Sequence, residues 1–236
     1  MKKRKWIFDI MVGEETAIPT VQDLLSEAKV HRKNGQYEDA IICLRRADTY
    51  LPAALELADL YLNTPSNILG IDLSKRLLMA EQILLAVDNN LDVESSKACM
   101  LLSTLYKTAG KPLSAFGYLL RAKRYGWAVS QSDLKEIKGC LNRMDVLSIS
   151  VQDPHGAYIS GYEASMLEGS EPYRWATWLL QETVELGSTR YAGVAALTLA
   201  ELLQAHAEDT PGNYVVAEKY RSIAAKLGFP EYLLLP

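Results

Sequence analysis

The stretch SKACMLLSTLYKTAGKPLSAFGYLLRAKRYGW, from Ser96 to Trp127, decides the fold because it has the pattern of two short helices joined by a tight turn. Gly110 suits the left-handed conformation that ends many helices, and Pro112 suits the first turn of the next helix, where a missing N–H costs little. Ala115 and Ala122 lie two turns apart and leave a nearly bare strip against which the first helix can pack closely. The stretch therefore predicts one antiparallel helix pair.

The same pattern recurs along the chain. Five residues of the stretch have counterparts 75 positions earlier: Tyr106, Gly110, Ala115, Leu119 and Ala122 correspond to His31, Gly35, Ala40, Leu44 and Ala47. Near the other end, Ala176, Leu186 and Gly187 recur 41 positions later as Ala217, Leu227 and Gly228. Each helix pair leaves an apolar face open to water, so neighbouring pairs must stack. The sequence predicts an all-α solenoid of stacked antiparallel helix pairs.

Two segments carry a resemblance to known repeat families. Leu24 to Pro52 resembles the tetratricopeptide repeat in its order of small residue, Gly35, Tyr37 and alanines, although His31 stands where that family usually has Tyr. Residues 195–228, AALTLAELLQAHAEDTPGNYVVAEKYRSIAAKLG, resemble one Sel-like repeat. The resemblance covers roughly two thirds of the chain and implies a right-handed α-α superhelix.

The repeats divide the chain into four parts. We predict an N-terminal segment over 1–19, about three tetratricopeptide-like helix pairs over 20–128, a degenerate helix and linker over 129–153, and Sel-like repeats over 154–236. The third part departs from the repeat pattern. Whether the two repeat blocks form one continuous array is left open by the sequence.

Composition and charge restrict the class of protein. Apolar residues make up 49% and charged residues 23% of the chain, which is typical of a folded soluble protein. The formal charge of −4 argues against a nucleic-acid partner. The opening residues have neither a long apolar run nor a cleavage pattern, so we expect no secretion signal, no membrane span and a cytoplasmic location. The three cysteines lie in helical apolar patterns typical of buried thiols in a reducing compartment.

Signatures of catalysis, cofactors and metals are absent from the sequence. It contains no phosphate-binding glycine loop, no G-x-S-x-G motif and no His-x3-His pair, so we expect no cofactor and no metal. The segment around Asp153 and His155 resembles an active-site loop, which leaves a hydrolase as a remote alternative, but a helix-capping turn is the favoured interpretation. Glu163 and Glu168 are interpreted as solvated carboxylates. We therefore predict no catalytic residue and no enzyme activity.

The resemblance also implies which residues line the concave face of the array, since the first helix of each pair usually faces inward. These positions are Leu25, Lys29 and Arg32 in the first unit, Leu55 and Asp59 in the second, Lys97, Met100, Thr104 and Lys107 in the third, then Tyr158 and Tyr162, and finally Leu197, Glu201 and Gln204. The resulting face is mildly basic at first and aromatic later. Leu25 and Lys29 replace the Lys and Asn of the family's carboxylate clamp, so that clamp is not predicted.

These residues favour a protein that binds a partner without catalysing a reaction. A peptide or protein with some acidic character fits Lys, Arg and Tyr side chains, and the repeat resemblance implies an adaptor, chaperone or assembly factor. The same side chains are also explained as ordinary solvated polar residues. A second hypothesis is a structural subunit that docks through the apolar tail at Leu233 to Leu235, which equally suits a cap on the last repeat. A third hypothesis places Trp6 to Ile10 in the concave face as an internal ligand.

Overall fold

The computed structural model describes residues 19–47, 50–88, 93–132, 135, 152–187, 191–208, 210 and 212–229. Within these ranges the elements are all helices: α1 Val21–Lys33, α2 Tyr37–Arg46, α3 Leu51–Asn63, α4 Ser66–Leu69, α5 Leu73–Asp88, α6 Val93–Thr108, α7 Pro112–Arg124, α8 Pro154–Ser165, α9 Ser170–Glu185, α10 Tyr191–Ala205 and α11 Asn213–Lys226. The predicted fold class is confirmed. The segment before residue 19, most of 129–151 and the tail from residue 230 lie outside the described residues, as do Trp6 to Ile10 and Leu233 to Leu235.

The helix turns of the repeat are built from the same hydrogen bonds. After α6, Gly110 adopts a φ of 71° and Lys111 N–H donates to the Tyr106 carbonyl over 2.8 Å. After α1, Gly35 adopts a φ of 75° and Gln36 N–H donates to the His31 carbonyl over 2.9 Å. This pattern satisfies the last carbonyls of a helix and requires a left-handed residue, which glycine supplies without strain. The two turns, 75 residues apart in the sequence, therefore have the same backbone conformation and hydrogen bond.

Helices that follow one another in the sequence pack side by side. α1 packs on α2, α3 on α5, α6 on α7, α8 on α9 and α10 on α11, and each pair also contacts the next. The alanine strips predicted from the repeat are fully buried in these contacts, including Ala40, Ala115 and Ala217. One apolar cluster runs from Leu24 to Leu179 and includes Leu202, and a second, from Leu180 to Ala224, lies among α9, α10 and α11. The molecule is a solenoid-like array, which is the arrangement that repeated helix pairs must adopt to cover their apolar faces.

α7 and α8 pack directly on each other although the segment 129–153 separates them in sequence. A Cβ added at Gly117 would lie 2.5 Å from Ile159 Cγ2 and 2.8 Å from the Ser160 backbone nitrogen. Ser160 Oγ in turn donates to the Leu113 carbonyl over 2.6 Å. The helix backbones approach this closely because the contact is made by a glycine and a serine. The array thus continues across the segment that departs from the repeat.

The connection between α3 and α5 is held by a buried arginine. Arg76 on α5 donates Nη1 to the Tyr61 carbonyl over 3.3 Å and also to the Thr64 carbonyl. These two carbonyls belong to the last turn of α3, where intrahelical partners run out. Pro52 lies in the first turn of α3, so it begins this helix and does not end α2.

Candidate functional site

The face formed by α1, α3 and α6 contains a cavity of about 190 Å³. Its lining consists of Leu25, Lys29, Pro52, Leu55, Glu56, Lys97 and Trp127. Four of these residues, Leu25, Lys29, Leu55 and Lys97, are among the positions that the repeat resemblance assigned to the concave face. The cavity has an apolar floor with lysines beside it.

An ion-pair network ties the three helices together next to the cavity. Arg32 on α1 contacts Glu56 over 3.1 Å and Asp59 over 2.6 Å, both on α3. Lys97 on α6 contacts the other oxygen of Glu56 over 3.3 Å. All four side chains are partly buried, so these contacts are less exposed to water and salt than ordinary surface pairs. Arg32 and Asp59 therefore hold the helices in register.

Lys29 differs from the other two basic residues on this face. Its side chain is exposed and it makes no ion pair among the residues that the structure describes. An ammonium group beside an apolar cavity can pair with a carboxylate while a neighbouring apolar side chain of the same ligand fills the cavity. Lys29 is thus the best-placed cation on this face for such a carboxylate.

The remaining predicted residues of α6 lie further along the helix. Thr104 and Lys107 are exposed and do not line the cavity. Thr104 Oγ1 donates to the Met100 carbonyl over 3.1 Å, one turn earlier on the same helix. The structure therefore brings together the first part of the predicted face but not these two residues.

Tyr158 and Tyr162 belong to a cluster of rings on α6, α7, α8 and α10, in which Tyr106 and Tyr118 are buried and the others partly buried. Their ring centroids are 6.0 Å apart, and Tyr158 stacks on Tyr191 with centroids 5.4 Å apart. Burial raises the pKa of Tyr158 to about 12, with the neighbouring Tyr162 adding to the effect. His155 lies 5.3 Å from the Tyr191 ring and 6.0 Å from the Tyr118 ring. Tyr158 and Tyr162 thus belong to an aromatic cluster that extends to the buried ring of Tyr118.

Glu163 lies within the protein, so the interpretation of this residue as a solvated carboxylate was wrong. Its side chain is 1% exposed. Arg121 Nε donates to one carboxylate oxygen over 2.7 Å, and Arg124 donates Nε and Nη2 to the two oxygens over 2.8 and 3.1 Å. The hydrogen bond to Glu163 raises the pKa of the Arg124 guanidinium. Glu168, the other member of the predicted pair, is exposed.

Asp153 caps two helices at once. One carboxylate oxygen accepts the Ser114 backbone N–H at the start of α7 over 3.0 Å. The other accepts the Gly156 N–H at the start of α8 over 3.1 Å and the Ser114 hydroxyl over 3.0 Å. Both oxygens are thus used in structural hydrogen bonds, and the residue is 5% exposed. This geometry supports the capping interpretation of the segment around His155.

The last two predicted residues, Glu201 and Gln204, are exposed on α10. Gln204 Oε1 accepts a hydrogen bond from Arg221 on α11. Neither residue belongs to the cavity on α1, α3 and α6.

Sequence reasoning missed three residues of the cavity, Pro52, Glu56 and Trp127. Glu56 follows Leu55 and is three residues before Asp59, so helical spacing alone could have placed both carboxylates on one side of α3. Trp127 comes directly after the left-handed Gly126, where its backbone N–H donates to the Ala122 carbonyl over 2.9 Å. Its place in the cavity depends on the packing of α6 and α7 against α3 and has no local signal.

Comparison with known proteins identifies no relative of this chain. No family model, no curated protein and no solved structure matches the chain. None of the described helices is both long enough and apolar enough to span a membrane.

Proposed function

We propose that this protein is a non-enzymatic interaction module that binds a peptide segment of a protein partner on the face formed by α1, α3 and α6. The observation that carries the proposal is the cavity lined by Leu25, Lys29, Leu55 and Lys97. The repeat resemblance predicts that all four positions line the concave face. A tetratricopeptide-like or Sel-like repeat that works in the cytoplasm as an adaptor, chaperone or assembly factor fits this arrangement.

The chemistry of the cavity favours an apolar side chain with a carboxylate nearby. Leu25, Pro52, Leu55 and Trp127 form the apolar part of the lining. Arg32 and Lys97 are held by Glu56, which leaves Lys29 to pair with the ligand. A ligand anchored in this way gains from burying apolar area and from one charge pair at the rim.

The test is capture of partners from a lysate of the source cell by the full chain and by two charge-reversal variants. Lys29→Glu alters the cavity, whereas Lys75→Glu makes the same change on an exposed part of α5 outside the cavity lining. We expect a partner that binds wild type and Lys75→Glu equally and binds Lys29→Glu at least about ten-fold more weakly, the equivalent of about 1.4 kcal/mol.

A second pair of variants tests the apolar part of the interaction. Trp127→Ala shortens the cavity wall, and Tyr214→Ala removes an exposed aromatic ring from α11. The proposal expects only the first to weaken binding, with far-ultraviolet circular dichroism unchanged in both. A partner retained by Lys29→Glu and by Trp127→Ala would contradict the proposed site.

The second candidate function is that of a structural subunit, and exposed apolar residues on α11 favour it. Val215 is 76% exposed, and its neighbours Tyr214 and Val216 are also exposed. Adjacent exposed apolar side chains are a common mark of a protein interface. Under this alternative, Val215→Lys abolishes partner capture while Lys29→Glu does not.

A further inference from the structure

A group of side chains with metal-binding chemistry joins α1 to α2. Glu27 and His31 lie one turn apart on α1, and Cys43 faces them from α2. Their ligand atoms all lie within 4.8 Å of one another, and Glu27 Oε1 is 3.5 Å from His31 Nε2. In a tetrahedral zinc site, ligand atoms are roughly 3.3 to 3.8 Å apart. The Glu27 oxygen and the His31 nitrogen already have this separation. Side-chain rotations that move the Cys43 sulfur by about 1 Å bring it to the same separation from them.

The second nitrogen of His31 is held as it is in established metal sites. Nδ1 lies 3.1 Å from Gln36 Oε1, an amide oxygen that only accepts hydrogen bonds. Nδ1 therefore carries the proton, and Nε2 is turned toward Glu27. Metal-binding histidines commonly donate their other N–H to an oxygen in this way, which fixes the ring orientation. Asp39 Oδ2, 4.0 Å from Nδ1, adds a negative charge behind the ring.

The three side chains differ in their exposure to solvent, which increases from Cys43 to His31 to Glu27. Cys43 is 6% exposed, the His31 side chain 24% and the Glu27 side chain 53%. An ion can reach the thiol from the solvent side, and a water molecule can complete its coordination there. A divalent cation stabilises the thiolate form of a cysteine that coordinates it.

We propose that Glu27, His31 and Cys43 bind one transition-metal ion of the zinc type and so clip α1 to α2. Thiolate and imidazole ligands favour this class over Mg²⁺ or Ca²⁺, which prefer oxygen ligands alone. The sequence contains no His-x3-His pair, and for that reason no metal was expected. Here a Glu-x3-His pair on one helix is completed by a cysteine from the next.

The experiment uses the full chain, freed of metal by a chelator and carrying no polyhistidine tag, titrated with Co²⁺ alone. We expect saturation at one Co²⁺ per chain, a thiolate-to-cobalt charge-transfer band, and full displacement of that band by Zn²⁺. Cys43→Ser removes the band, whereas Cys99→Ser and Cys140→Ser keep it. Cys99 is the matched control because it is a buried thiol on another helix.

Glu27→Gln keeps the test decisive if the cysteine variant does not fold, because Glu27 is half exposed and its replacement leaves the core intact. We expect it to weaken Co²⁺ binding at least ten-fold, while Glu38→Gln, an exposed change on α2, leaves binding unchanged. Zn²⁺ raises the melting temperature of wild type and of Glu38→Gln but not of Glu27→Gln. A missing charge-transfer band in wild type, or equal binding by Cys43→Ser, overturns the proposal and leaves only a histidine–carboxylate ion pair.

Discussion

The pairing of Glu163 with Arg121 and Arg124 makes a quantitative prediction. The carboxylate is 1% exposed and accepts three hydrogen bonds from the two guanidinium groups. Glu163→Gln keeps the shape of the side chain and one acceptor oxygen but removes the negative charge. The two arginines then remain close together without the charge that compensates them.

Removal of one partner from a fully buried ion pair costs about 3 to 5 kcal/mol. Here the side chains of Arg121 and Arg124 are 19% and 36% exposed, so their charges regain part of their hydration. We therefore expect Glu163→Gln to lower the free energy of unfolding by about 2 to 4 kcal/mol. For a chain of this size, that corresponds to a fall in melting temperature of about 4 to 16 °C.

The assay is denaturant unfolding followed by circular dichroism at low and high salt. Glu168→Gln is the matched control because it makes the same chemical change on an exposed carboxylate, and we expect it to stay within about 0.5 kcal/mol of wild type. The loss in Glu163→Gln should persist at high salt, since buried charges are weakly screened. A loss below about 1 kcal/mol, or one that disappears with salt, would refute the argument that this buried charge network stabilises the fold.

Three further predictions concern the same part of the array. Asp153→Ala removes the cap of two helices, so the free energy of unfolding should fall by about 2 to 3 kcal/mol, roughly twice an ordinary cap loss, as measured by urea titration. Gly117→Ala should cost about 1 to 3 kcal/mol because the new Cβ meets the backbone of Ser160, whereas Gly212→Ala has open space around it and should be neutral or slightly stabilising. The folded state holds the proton of Tyr158 more tightly than the unfolded chain does, so its contribution is complete below pH 10 and is lost between pH 10 and about 12. Wild type should therefore lose roughly 2 kcal/mol more than Tyr158→Phe across that range in alkaline unfolding experiments.

The features that the sequence predicted well are those whose causes are local. The backbone conformation at the end of α6 favours glycine at position 110, and the first turn of α7 favours proline at position 112. Both residues have these predicted roles. The buried alanines follow from the close approach of two consecutive helices. The positions of Leu25, Lys29 and Lys97 were also predicted, because a repeat fixes which side of each first helix faces the same way.

The features that the sequence could not predict depend on contacts between distant parts of the chain. The neighbours of Glu163 in the sequence do not indicate its partners, because both arginines belong to a helix about 40 residues earlier. Likewise, nothing near Arg32 indicates that it pairs with Glu56, because that contact depends on how α1 and α3 are aligned. Cys43 fits an apolar helix pattern equally well with or without a ligand, so only the structure relates it to His31.

The contacts between α7 and α8 bear on whether the two repeat blocks act as one unit. Gly117 allows the helices to approach, Asp153 caps both of them, and Glu163 binds two arginines of α7 from α8. Each contact requires both helices to be in place, so none of them survives the separation of the blocks. An interface held only by exposed side chains would behave as a hinge between domains. The contact between α7 and α8 contains a close backbone approach, a shared cap and a buried charge. Unfolding of either block exposes all three. The segment 129–153 therefore interrupts the repeat in sequence, while the packing and the stability of the array are transmitted across it.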